Sequence, residues 1–204
     1  MHRIFLGLVI TDGVLLAATY GFGLAAPPPP RGAGAYLHGI HWLLGMFTVL
    51  LTMMVHSIAY TYFLGTGKWI KEVARVYRLP DWVETRAKKN KRRAFPFEFW
   101  SMMFIGGTAW LGAGTDALGW SPSWHLGMAS LTIAFNIGSF WAEYMMITAQ
   151  AKLILEVKNL ADGMRLASFA AADSAGASPS SSQGVGGDRV VDPPAIVDAA
   201  AGIS

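Results

Sequence analysis

Asp12, His41, His56, His125 and Glu143 each stand inside an otherwise apolar stretch of this chain. Imidazole and carboxylate can bind a metal or pass a proton. Both are costly in a low-dielectric interior, so each is a candidate for function. His41, Gly45, Thr48, Thr52 and His56 follow one another at steps of four, three, four and four, which puts them on one side of a helix. His125, Ala129, Thr132, Asn136, Ser139 and Glu143 run at steps of four, three, four, three and four. Ser101, Thr108 and Gly112 form a weaker third stripe, and Asp12 and Thr19 a short fourth. Small and hydroxyl residues are ordinary where membrane helices pack. That accounts for the Thr, Ser, Gly and Ala of these stripes, but not for their histidines and carboxyls.

Depth sorts the ionisable residues into two layers. At a rise of ~1.5 Å per residue, His41 and His125 lie roughly 6 Å inside one end of their spans. By the same rise, Asp12, His56 and Glu143 lie on the order of 12–14 Å inside the other end. In an up-down-up-down bundle the second and fourth helices are parallel and diagonal. His41 and His125 are therefore candidate axial ligands of a single haem b. Gly45 and Ala129, one turn below them, would leave room for the porphyrin edge. His56 has no histidine opposite it on the fourth helix, which argues against a second haem. Asp12, His56 and Glu143 come from three helices and suit a divalent metal ion, a proton relay, or a structural network locking the helices. His38 lies nearer the surface, as a spare ligand or an interfacial residue.

The elements that must position these residues read as four membrane spans. Of the 204 residues, 53% are hydrophobic and 14% charged, which suits an integral membrane protein. The spans fall at about 4–25, 36–64, 97–118 and 124–150, with the last helix running on past the membrane. Asp12 in the first apolar run argues for a retained helix over a cleaved signal peptide. Residues 27–30 are four prolines, which end a helix and favour an extended turn. Gly65-Thr66-Gly67 ends or loosens the second span, and its flanks lack the spacing and the preceding strand of a phosphate-binding loop. Residues 68–78 have an amphipathic pattern predicting a helix lying in the headgroup layer, broken at Pro80. Residues 1–166 thus form an all-α four-transmembrane-helix domain with a basic cytoplasmic loop, and 167–204, rich in Ala, Ser, Gly and Pro, read as a disordered tail. No internal repeat stands out.

Charge sets the orientation. Ten of the sixteen Lys and Arg fall within residues 68–93, so that loop belongs in the cytoplasm, with both termini. The pattern predicts a multi-pass protein of the cell (inner) membrane. The cluster Lys88-Lys89-Asn90-Lys91-Arg92-Arg93 would meet anionic lipid. It is confined to one loop, so the pI near 9.3 does not indicate nucleic acid. The absence of cysteine excludes disulfides, thiolate sites and thiol nucleophiles, and no Ser-His-acid signature appears. Three functions remain. The first is a small b-type cytochrome, or a haem-bearing membrane subunit of a respiratory complex. The second is a proton- or cation-handling protein using Asp12, His56 and Glu143. The third is a structural or assembly subunit without cofactor. Other membrane subunits, or further copies of the chain, are the expected partners.

Overall fold

The computed structural model describes residues 2–26 and 33–176. The proline run and residues 177–204 lie outside them. All of the described secondary structure is helical: α1 (His2–Ala25), α2 (Ala33–Val76), α3 (Trp82–Leu118) and α4 (Pro122–Gly176). Each helix packs on the next in order, α1 also packs on α4, and α2 touches α4 across the centre. The bundle is therefore up-down-up-down, with α2 and α4 parallel on its short diagonal.

Two helices, α1 and α2, are long and apolar enough to cross a membrane, each with a mean hydropathy of 1.8 over its span. The middle turns of α3 and α4 fall short of that measure because they carry many Gly, Ser, Thr and Trp. The bundle nonetheless buries polar side chains beside its apolar core and leaves large apolar ones outside. Its buried set includes Asp12, Thr52, His56, Glu98, Asn136 and Glu143, while Leu50, Trp110, Ile137 and Trp141 are more than 60% exposed.

Three helices are longer than their apolar parts. Gly65-Thr66-Gly67 does not end α2, which continues unbroken to Val76. Each glycine costs a helix about 1 kcal/mol. Burial of Phe63 on one side and Ile70 on the other outweighs this. The amphipathic segment accordingly does not lie flat. Its apolar face, through Ile70 and Ala74, packs on Val83 and Ala87 of α3 and on Leu153 and Val157 of α4. The Pro80 end of the molecule is thus a three-helix extension with a core of its own, separate from the core around Val55, Phe63 and Phe140. The turn into α3 is closed by a Schellman motif: Arg78 is left-handed at φ 51, Leu79 N donates to Ala74 O at 2.9 Å, and Pro80 follows. α3 then runs through Pro96 without ending.

At the opposite end, Gly119 (φ 66, ψ 28) caps α3. Gly114 provides the seat for the Trp120 ring, which a Cβ there would strike. α4 continues to Gly176, ten residues into the segment expected to lack structure; Ala-rich sequence has high helix propensity.

Candidate functional site

The two histidines at the turn end of the bundle face each other across the α2–α4 diagonal. Their ring centres are 6.0 Å apart, with planes at 74°. Each ring is held by the neighbouring helix of its own hairpin. His41 Nδ1 donates to the Thr19 carbonyl on α1 at 2.9 Å, and His125 Nδ1 donates to the Thr108 carbonyl on α3 at 3.0 Å. A carbonyl only accepts, so Nδ1 carries the hydrogen. Nε2 of the neutral ring then keeps its lone pair. Both rings rest on glycine. A Cβ on Gly23 would lie 2.7 Å from His41 Cε1, and one on Gly112 would lie 3.0 Å from His125 Cε1.

Two turns along α2 and α4, Thr48 shares a hydrogen bond of 2.7 Å with Thr19, and Thr132 shares another of 2.7 Å with Thr108. The two hairpins are therefore built alike. Thr19-Gly23 against His41-Thr48 in the first recurs as Thr108-Gly112 against His125-Thr132 in the second, with the same residue steps. This is an internal repeat that a linear reading misses, because the apolar residues between the shared positions differ.

Axial ligation makes its own demands on such a pair. A metal between two imidazoles, at bonds of about 2 Å each, sets their ring centres about 6 Å apart. A carbonyl on the far nitrogen fixes tautomer and ring direction. Gly45 leaves open space beside His41: a Cβ there would meet only Thr19 Cγ2, at 3.9 Å. Ala129 occupies the matching place under His125. His38 is not part of this pair; its Nε2 lies 3.4 Å from Asp116 Oδ1 near the surface.

The second layer lies deeper and draws on all four helices. His56 Nδ1 and Glu143 Oε1 are 2.7 Å apart, both side chains fully buried. On the other side of the ring, Asn136 Nδ2 donates to the Thr132 carbonyl at 2.9 Å, which turns Asn136 Oδ1 towards His56 Nε2 at 2.8 Å. Nε2 must therefore donate, while one proton lies between Nδ1 and Glu143. Phe140 stacks on the same imidazole at 5.3 Å and 11°. Asp12 is buried too, but its partner is Thr52, whose hydroxyl donates to Oδ1 at 2.9 Å.

Both nitrogens of His56 and Asp12 Oδ1 are engaged in hydrogen bonds, and no group of three or more His, Asp or Glu among the described residues is arranged around a metal position. Sequence reasoning missed one member, Glu98 of α3, which is 1% exposed. It was legible: Glu98, Ser101, Ile105, Thr108 and Gly112 follow steps of three, four, three and four. It stands between Phe97 and Phe99, just after the basic cluster, at the edge of the third apolar run. No protein-family model, curated protein or solved structure matches the chain.

Proposed function

We propose that the chain is a four-span membrane protein in which His41 and His125 hold one haem b, acting as a small b-type cytochrome or as a haem-bearing membrane subunit of a respiratory complex. The membrane reading is supported by the distribution of side chains in the bundle, since large apolar ones on its outside and hydrogen-bonded polar ones within suit a lipid solvent. The concentration of Lys and Arg about the Pro80 end supports placing that end, and both termini, in the cytoplasm.

One observation carries the haem reading. Two imidazoles on diagonal helices face each other, each tied at Nδ1 to a backbone carbonyl and each keeping its Nε2 lone pair. A histidine that merely packs or sits at an interface needs neither the matched depth nor the matched tether. In this reading Thr19 and Thr108 hold the rings in one tautomer, and Gly23 and Gly112 let them approach the helix axes. Gly45 and Ala129 keep the flanks of the pair narrow enough for a macrocycle. The Thr19–Thr48 and Thr108–Thr132 pairs close the floor beneath. When bound, the haem supplies one-electron redox chemistry.

Absorption spectroscopy tests this directly. Protein purified from cells supplied with haem is expected to show a Soret band and, after dithionite, a sharp alpha band. His41→Ala and His125→Ala should each abolish the six-coordinate spectrum. A colourless preparation that stays colourless on haem titration would remove the redox reading and leave the pair as a helix-packing device.

A further inference from the structure

The inner layer contains more proton-bearing chemistry than helix packing needs. Each helix contributes one ionisable group: Asp12 from α1, His56 from α2, Glu98 from α3 and Glu143 from α4, all essentially without solvent contact. The Thr108–Thr132 and Asn90–Gln150 pairs set one antiparallel register between α3 and α4, which brings Glu98 to the level of Glu143. Hydrogen bonding inside the cluster is incomplete. Asp12 Oδ2, Glu98 Oε1, Glu143 Oε2, Ser101 Oγ and Ser139 Oγ are buried with no partner among the described residues. A buried oxygen left so costs on the order of 1–3 kcal/mol unless a proton or a water meets it. Ser101 lies one turn from Glu98 on α3, and Ser139 one turn from Glu143 on α4. The unmet oxygens thus border the same interior as the carboxyls.

Towards the Pro80 end, Asn90 and Gln150 lie two turns beyond Glu98 and Glu143 on their helices, with the buried Ala94 between. On α3 the face of Glu98 continues through Ala94 to Asn90. Asn90 Nδ2 donates to Gln150 Oε1 at 3.0 Å, and Gln150 Nε2 donates to Thr66 Oγ1 at 3.1 Å. Gln150 is fully buried and Asn90 half-buried, at the level where the basic residues of α3 meet solvent. Towards the histidine end, Asn136 Nδ2 donates to the Thr132 carbonyl, and the Thr132 hydroxyl pairs with that of Thr108.

From this arrangement we propose that Asp12, His56, Glu98 and Glu143 form a buried proton-exchange site served from the Pro80 end past Asn90 and Gln150, with Glu98 as the entry acid and the Glu143–His56 pair as the terminal acceptor. The proposal depends on the helix packing and not on haem. In the exchange step an O–H bond of Glu98 breaks while an O–H bond forms at Glu143 Oε2, directly or through one water. Glu143 Oε1 keeps its contact with His56 Nδ1, and His56 Nε2 keeps its hydrogen on Asn136. The site gains one positive charge per proton admitted.

The test is infrared difference spectroscopy of the full chain in lipid, stepping pH in H2O and then in D2O. A carboxylic-acid carbonyl band that responds to pH and shifts promptly in D2O is expected. Glu98→Gln and Glu143→Gln should each delete a component of it, while Asp116→Asn, at the far end, should not. Asn90→Leu should slow the deuterium shift roughly tenfold by replacing a polar side chain with an apolar one, and this measurement stands even if a glutamine variant misfolds. An acid band that never shifts in D2O, one that both glutamine variants retain, or a shift rate indifferent to Asn90→Leu would each overturn the proposal. A colourless protein that still shows the band would leave it intact.

Discussion

Two glycines decide where the imidazoles sit. Gly112 lies inside α3 and Gly23 in the last turn of α1; glycine in a helix interior costs about 1 kcal/mol relative to alanine, and each lies directly against a histidine ring. Gly23→Ala and Gly112→Ala are expected to raise helix propensity yet push the ring off its carbonyl, weakening or abolishing the Soret band. Gly13→Ala, where a Cβ meets nothing within 4 Å, should leave it unchanged; equal spectra for all three would show that the glycines do not seat the rings. The inner pair behaves differently. His56→Ala leaves Glu143 buried without its partner and should cost about 3–5 kcal/mol. The apolar double variant His56→Leu with Glu143→Met should recover most of that, read by denaturant unfolding in detergent. At this scale the sequence was informative where the helical step is regular: Thr48, Thr52, His56, Thr132, Asn136, Ser139 and Glu143 share the buried faces expected for them. It was silent on partner choice. That Asp12 bonds Thr52 rather than His56 depends on the rotation of α1, which no spacing within α1 encodes.

Helix ends are where local signals and tertiary packing compete. Gly65 and Gly67 carry a stop signal that Phe63 and Ile70 override. Pro96 falls where the third span was expected to begin, yet α3 passes through it, because the helix on both sides is held against α4, by Asn90–Gln150 before it and Thr108–Thr132 after it. The break at Pro80 has its Schellman geometry supplied by Arg78, a residue ill suited to a left-handed position. Arg78→Gly should therefore stabilise the extension by up to about 1 kcal/mol. Thermal unfolding of the full chain would check this, and a lowered midpoint would mean that Arg78 makes a contact worth more than its strain. The existence and order of the four helices were legible from hydropathy. The three-helix extension was not, because its core is assembled from three short apolar runs, none of which exceeds what a surface helix carries.

At the scale of the whole molecule, the reading rests on how the bundle sits in a bilayer. About 20 residues cross the hydrocarbon core. In the proposed four-span placement α2, α3 and α4, with 44, 37 and 55 residues, would project well beyond it on the Pro80 side. The absence of native cysteine makes this simple to examine. Single-cysteine variants Lys89→Cys and Ser121→Cys should react with a membrane-impermeant maleimide from opposite faces, Lys89→Cys only after the cytoplasmic face is opened. Labelling of both from the same face would contradict the topology.

The matching hairpins carry a last consequence. Their kinship is strict at the turn end, where threonine, glycine and histidine correspond, and lapses deeper in, where Asp12 faces the role of Ser101 and His56 that of Phe140. The turn end therefore offers the same chemistry from both hairpins, while the deeper layer is asymmetric, so a substitution there has no counterpart in the other half.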